Sequence, residues 1–320
     1  MVTEAQQVTQ EAHPLLHDSE VAYLIVYVDD LTAARAFYEG TLGLRIASQD
    51  ADSVKYDTGQ VLLWLRRAAD DGVVLAGKTD DSCDVVFLVE DVAAMRSALE
   101  RRGLEIAHQR TYGVGTVVDF YDPDGHRLML YEPSEHALTT PVEDRLRLIW
   151  RKSGRGGEGL IGPPAGPLAG DLLDVGLDGK PLIYFFLFIK DISQGAGFFE
   201  RQLGLRVMDR SHCCSDACPD DEPGVIKYDG DGIILSTHHM HGHHTVLDDQ
   251  GRPYAAREYD SRFAKGIAPA FRVRQVEGVV DELVERRVAL RNGVVRTPTA
   301  TLTGFEAPSG HLFYVFGDPS

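Results

Sequence analysis

The densest run of chemistry-bearing side chains is His238-His239-Met240-His241-Gly242-His243-His244. Imidazoles titrate near neutrality and bind divalent ions, so such a run can hold a metal or shuttle protons. If the strand before it, Gly232 to Ser236, continues through the run, then His239, His241 and His243 share one face. That set would be a non-standard divalent-metal site, with His239 and His241 also serving as acid/base groups. The competing reading is a surface loop with adventitious affinity, because His-rich tracts are compositional signals only. Glu258, followed by Asp260 and Arg262, offers a carboxylate that could reach over a cavity as a general base. A solvated charged loop is the plainer account of the same residues. His212, Cys213, Cys214 and Cys218 could bind zinc, yet they form no C-x-x-C pair and no second pair follows. The acidic residues Asp216, Asp220, Asp221 and Glu222 around them disfavour a nucleophilic thiolate.

The elements that must position these groups come in two copies. Phe37-Tyr38-Glu39 and Leu42-Gly43-Leu44-Arg45 recur as Phe198-Phe199-Glu200 and Leu203-Gly204-Leu205-Arg206, a constant shift of 161. Val54-Lys55-Tyr56-Asp57 recurs as Ile226-Lys227-Tyr228-Asp229 at a shift of 172, and Asp122-Pro123-Asp124-Gly125-His126 as Ala307-Pro308-Ser309-Gly310-His311 at 185. The second copy has therefore gained 11 and then 13 residues in two loops. A repeat this long is a duplicated domain rather than a solenoid.

Within the first copy, Val21 to Val28 is a β-branched and aromatic run that predicts a strand. Leu31 to Leu42 has helical spacing, and Leu44 to Ser48, Ser53 to Tyr56 and Val61 to Leu65 follow as short strands. The order restarts at Val85 to Val89, with a helix from Val92 to Arg102 closed by Gly103. Strands near 105–107, 115–121 and 126–131 complete it, the last two joined by a tight turn at Asp122-Pro123-Asp124-Gly125. Each copy thus contains two βαβββ units. The boundaries read as a flexible arm over 1–19, a first domain over 20–135, a Gly- and Pro-rich linker over 136–180 and a second domain over 181–320.

Bulk properties narrow the class. At 320 residues the chain has room for about two domains. A net charge of −17 argues against nucleic acid and anionic membrane surfaces as partners. No apolar stretch is long enough to span a membrane and no signal peptide is readable, and three of the four cysteines crowd together, so a reducing cytoplasm is expected.

Paired βαβββ units, the opening Val28-Asp29-Asp30-Leu31…Phe37-Tyr38…Leu42-Gly43-Leu44 and the Asp-Pro-Asp-Gly turn resemble the vicinal oxygen chelate superfamily. That superfamily includes glyoxalase I, methylmalonyl-CoA epimerase, extradiol dioxygenases and bleomycin-binding resistance proteins. The resemblance implies an α+β fold of two tandem domains, each of paired units forming an open, cup-shaped mixed sheet. It also implies a divalent ion held by His or similar residues early in the first strand of a unit and by Glu in the last. At those positions this chain carries Tyr23, Asp84 and Met129 in the first half and Tyr184, Ala268 and Tyr314 in the second, with Leu62 and Ile234 at the fourth-strand positions. Only Asp84 is an ordinary metal donor, so extradiol and glyoxalase I chemistry are disfavoured.

Two functions follow as expectations. One is an epimerase, isomerase or lyase moving a proton next to a carbonyl, with Tyr184, Tyr314, His239, His241 and Glu258 catalytic and Tyr23, Asp84 and Met129 binding substrate. The other is a metal-free protein that sequesters an aromatic natural product in an aromatic-lined cup. The inserted loops single out the second half as the active one, and the family suggests a homodimer.

Overall fold

The computed structural model describes residues 15–75, 80–139, 146, 176–211, 223–239, 246–247, 249–251, 253–254 and 264–319. Four βαβββ units follow one another. The first comprises β1 (Glu20–Val28), α1 (Leu31–Arg35), β2 (Ile46–Gln49), β3 (Ser53–Thr58) and β4 (Val61–Arg67). The second comprises β5 (Asp80–Leu88), α2 (Val92–Arg101), β6 (His108–Tyr112), β7 (Gly115–Tyr121) and β8 (His126–Pro133). The third comprises β9 (Leu182–Ile189), α3 (Ile192–Ala196), β10 (Val207–Ser211), β11 (Val225–Asp229) and β12 (Ile234–His239). A small hairpin, β13 (Val246–Leu247) and β14 (Pro253–Tyr254), precedes the fourth unit. That unit holds β15 (Ile267–Arg272), α4 (Val276–Glu285), β16 (Ala289–Leu290), β17 (Val295–Arg296), β18 (Thr301–Glu306) and β19 (Leu312–Gly317).

Local chemistry explains the strand-to-helix corners. Asp30 leaves β1 in an extended conformation and its Oδ1 accepts from the backbone N–H groups of Thr32 and Ala33, satisfying two otherwise orphaned donors of α1. Asp91 does the same for Ala94 and Asp191 for Gln194. The helix expected over Leu31 to Leu42 starts there but widens to π geometry over Ala36–Thr41, and the copy does so over Gly197–Gln202. The Leu42 and Leu203 N–H groups reach back five residues to the Phe37 and Phe198 carbonyls.

The α+β class with large mixed sheets stands, and the sheets combine the halves in a way that the repeat alone does not dictate. The nine-stranded sheet runs β16-β18-β19-β15-β1-β4-β3-β2, with β17 paired to β18, so it joins the first unit to the fourth. The eight-stranded sheet runs β10-β11-β12-β9-β5-β8-β7-β6 and joins the second unit to the third. The joints are antiparallel pairs of first strands, Ile25 opposite Ala268 and Val85 opposite Phe185. The boundaries 20–135 and 181–320 therefore delimit sequence copies, while each sheet draws one unit from either copy.

One face of both sheets and the helices bury a shared core that includes Leu24, Val26, Tyr38, Leu63, Phe87, Met95, Phe185, Leu235, Phe271 and Phe313. The opposite faces carry separate clusters, one per sheet. Because side chains alternate along a strand, each sheet has one face committed to the common core and one available for a site. The two sheets are also tied at the turns: the His126 ring Nε2–H donates to the Tyr27 carbonyl at 2.7 Å, and the His311 Nε2–H to the Ser82 carbonyl at 2.9 Å. Both histidines are buried, so they are seam residues rather than the plain turn residues that their place after glycine suggests.

Candidate functional site

Strand parity places Tyr23, Ile25 and Tyr27 on the inner face of the nine-stranded sheet, beside Trp64 from β4, Ala268 and Ala270 from β15, and Leu312, Tyr314 and Phe316 from β19. Ala268 and Ala270 stand opposite Ile25 and Tyr23, so the floor between the two units is built from small side chains. Gly304 faces Tyr314 across the β18–β19 ladder, and a Cβ there would lie 2.9 Å from the Tyr314 ring. The glycine is what lets the ring lie close against β18.

A cavity of about 140 Å³ opens on this face, bounded by Tyr27, Trp64, Arg66, Asp71, Asn292, Thr297, Thr303, Gly304 and Tyr314. At its wall the Tyr27 and Tyr314 hydroxyls are hydrogen-bonded at 2.8 Å. Burial holds both phenols above the ordinary tyrosine range, and for Tyr314 the bond to Tyr27 pulls in the opposite direction. They are therefore neutral donors at physiological pH. Arg66 grips Asp71 with two nitrogens, each 2.9 Å from a carboxylate oxygen. Arg291, from the other copy, donates to the Asp71 and Gly72 carbonyls at 2.6 and 2.9 Å. The Trp64 ring N–H is buried and has no hydrogen-bond partner among the described residues.

Beside the cavity the Tyr23 ring meets those of Trp64 and Phe316, with centroids 5.4 and 5.0 Å apart. The Lys55 ammonium sits 4.4 Å from the Trp64 centroid and 4.9 Å from that of Tyr23, a cation–π arrangement. Burial, helped by Arg66, lowers the Lys55 pKa against the pull of Asp50.

The inner face of the eight-stranded sheet is chemically different. Val86, Met129, Tyr131, Tyr184 and Ile234 form its apolar part. Next to them lies a buried ionic row: Arg127 holds Asp84 at 3.0 and 3.1 Å, and Arg110 holds Asp119 at 2.8 and 3.0 Å. On the other side of Phe186, Lys227 pairs with Asp209 at 3.0 Å. The His238 ring lies between Phe186 and Phe188, centroids 4.5 and 5.4 Å away, with Nε2 3.0 Å from the Ser236 hydroxyl. Burial and the charges of Lys227 and Arg127 push its pKa down to about 3. Asp249, at the tip of the β13–β14 hairpin, accepts from the Thr111 N–H and hydroxyl at 3.0 and 2.8 Å. The insertion that leaves β12 thus fastens to β6, the far edge of the same sheet.

The sequence-derived candidates divide accordingly. Tyr23 and Tyr314 share the nine-stranded face, whereas Asp84, Met129 and Tyr184 share the eight-stranded one. Tyr184 and Tyr314, expected at one cavity, lie on different sheets because the first strand of each half pairs with a unit of the other half. Tyr184 is held neutral by burial, first of all, with Tyr131 and Asp209 adding to it. Asp84, expected to bind substrate, is fully buried against Arg127. Of the expected face of His239, His241 and His243, only the first member lies among the described residues. His239 falls on the β12 face opposite His238, and its Nε2–H donates to the Lys190 carbonyl at 2.9 Å. His241, His243 and Glu258 lie outside the described residues, as do Cys213, Cys214 and Cys218.

Neither set of family positions suits a divalent ion. On the nine-stranded sheet the set is Tyr23, Leu62, Ala268 and Tyr314, with phenols as the only donors. On the other sheet it is Asp84, Met129, Tyr184 and Ile234, whose carboxylate is already neutralised by Arg127. Among the described residues no three His, Cys, Asp or Glu side chains converge. The residues missed from sequence, Tyr27, Trp64, Arg66 and Asp71, were partly within reach: Tyr27 and Trp64 follow from parity with Tyr23 and Leu62. Nothing local announces Asp71, which reaches the cavity from the turn after β4.

Comparison with known proteins agrees with this architecture. A model of the Glyoxalase/Bleomycin resistance protein/Dioxygenase superfamily matches residues 20–130 and 182–315. Glyoxalase I from Zea mays is similar over 93% of this chain and 92% of its own, at 13% identity and a TM-score of 0.55. A proposed dioxygenase from Bacillus subtilis is similar over 94% and 86%, at 17% identity and a TM-score of 0.53. Such identities speak to the fold alone. No curated protein matches the chain. No helix among the described residues is long and apolar enough to cross a membrane.

Proposed function

The chain belongs to the glyoxalase, bleomycin resistance protein and dioxygenase superfamily, and from that premise we propose an enzyme that moves a proton next to a carbonyl of a small oxygen-rich metabolite, in the cavity shared by the first and fourth units. The observation that carries this is the buried Tyr27–Tyr314 pair beside the Asp71 carboxylate. Both phenols line the cavity, Tyr27 wholly buried and Tyr314 slightly exposed. With Tyr27 donating to Tyr314, the Tyr314 O–H is left to donate to a ligand oxygen, and the first bond polarises the second. A neutral phenol so placed stabilises an enolate oxygen without reorganising. Asp71, paired with Arg66 but still part-exposed at the cavity wall, accepts the α-proton, and Arg66 holds the carboxylate in place. The proton then returns from Asp71 to the other face of the same carbon once the enolate has turned in the site, which gives epimerisation, or to the adjacent carbon, which gives isomerisation.

The test is deuterium exchange at the α-position of small ketones and 2-oxo acids, followed by NMR. Tyr314→Phe is expected to slow exchange by about 10² to 10³, the usual loss for one oxyanion donor, and Asp71→Asn to abolish it. Absence of exchange with every carbonyl compound tried, with and without added divalent ions, would refute the reading. A second reading rests on the Tyr23, Trp64 and Phe316 rings, which offer a stacking surface for an aromatic molecule held unchanged. A tight complex with an unmodified aromatic product, indifferent to Tyr314→Phe, would favour sequestration.

A further inference from the structure

The duplicated chain contains its own control for a second cavity. In each half the helix that follows the first strand abuts the turn before the last strand of the next unit. In the first half this seam is crossed by polar links: the Tyr38 hydroxyl donates to Asp122 at 2.9 Å and the Asp29 N–H to Asp124 at 2.9 Å. Asp122 further accepts from the Asp124 and His126 N–H groups. At the matching positions of the second half stand Phe199, Ala307 and Ser309, so the phenol and both carboxylates are gone. Ala34 is matched by Gly195, where a Cβ would meet Ile189 at 2.3 Å, and Arg35 by Ala196. These changes remove side-chain atoms, while Ile189 occupies the space beside Gly195 and the longer Lys190 and Gln194 stand where the first half has Asp29 and Ala33. The seam of the second half holds an open cleft of about 190 Å³.

We propose that this seam is a binding site for a neutral, single-ring phenol, separate from the cavity of the Tyr27–Tyr314 pair. Ile189, Phe198, Phe199 and Ala307 make the inner walls apolar and are buried. Lys190, Asp191, Gln194 and Ser309 stand at the mouth. The volume is right for one ring, since an apolar cavity of about 150 Å³ is known to take up benzene. Charges of both signs at the mouth disfavour an ionic end-group on the ligand, whereas a hydroxyl can donate to Asp191 or Ser309 and accept from Gln194. The ring replaces the side-chain bulk that fills the first seam.

Phenol itself is the probe, titrated into the full-length protein by calorimetry and followed as a rise in the thermal unfolding midpoint. One phenol per chain is expected for the wild type. Phe199→Tyr combined with Ala307→Asp rebuilds the first seam's phenol–carboxylate link and is expected to weaken binding at least tenfold. Ser309→Asp, at a half-buried position, restores the counterpart of Asp124 and is expected to weaken it likewise, which keeps the test decisive if the double variant does not fold. Tyr314→Phe, in the other cavity, should leave phenol affinity unchanged. No binding to the wild type overturns the proposal. So does undiminished binding in the seam variants, or loss of binding in Tyr314→Phe.

Discussion

His311 gives the most direct test of how the two sheets are joined. Its Nε2–H donates to the Ser82 carbonyl and its Nδ1 accepts from the Ser309 hydroxyl at 2.9 Å, so the geometry is that of a neutral ring. Burial lowers its pKa from 6.5 to about 4, against the raising effect of the bond to Ser82. The unfolded chain binds a proton on this ring as pH falls through about 6.5, and the folded chain does not until about 4. The contribution to stability is therefore complete above pH 6.5, shrinks between 6.5 and 4, and levels off below. At about 1.4 kcal/mol per pH unit across that window, the loss reaches about 2.5 kcal/mol by pH 4.5. Carboxylates also protonate there, so the measurement is a difference. Urea midpoints of wild type and His311→Gln, read by tryptophan fluorescence from pH 7.5 to 4.5, isolate the histidine, because glutamine can donate to the same carbonyl without titrating. The wild type should lose about 2.5 kcal/mol more than the variant. Parallel curves would refute the buried neutral ring and the seam built on it.

Three further outcomes follow from the inner faces. Gly304→Ala puts a Cβ 2.9 Å from the Tyr314 ring; it should cost about 1–3 kcal/mol as an overpacking change and reduce α-exchange through the displaced phenol, both measurable on one preparation. Asp84→Asn strands the buried Arg127 and should cost about 3–5 kcal/mol in urea, whereas Asp84→Leu with Arg127→Met should come close to wild type; equal losses in the single and double variants would argue against the pairing. The His238 ring, with its pKa near 3, should keep neutral-form NMR shifts down to pH 5, and a midpoint near 6.5 would show it to be hydrated rather than held between Phe186 and Phe188.

Much of this architecture was legible in the residues themselves. The repeat shifts, the Asp30 and Asp91 corners and the strand alternation that turns Tyr23 and Tyr314 inward are local signals, and local signals survive folding. The pairing of units was not legible. All four first strands carry an apolar segment that can pair with any of the others, so the choice rests on packing across the whole chain. Two errors follow from that one gap. Membership of one half points Tyr184 and Tyr314 to a common cavity, and nothing near Asp84 in sequence shows its partner Arg127, on β8. The His run is a different case: alternation puts His238 and His239 on opposite faces, and only the assembled sheet shows that His238 is the one turned towards the inner face.

The asymmetry between the copies takes on a different meaning once the sheets are known. Insertions in the second half suggest a division of labour, with one half structural and the other active. No such division is open to this topology, because each inner face takes one unit from each half. The cavity with the Tyr27–Tyr314 pair needs β1 and β4 from the first copy and β18 and β19 from the second, and the Arg291 bonds to the Asp71 turn cross between copies as well. What has diverged is the pair of sheets. The nine-stranded sheet keeps an aromatic face with an open cavity, while the eight-stranded sheet fills its face with buried ion pairs and is strapped across by Asp249. Buried ion pairs contribute little net stability but penalise any arrangement that separates the partners. The ionic row is therefore suited to fixing the β5–β8–β7–β6 register, and the face with the open cavity is the one on which the proposed proton transfer would act.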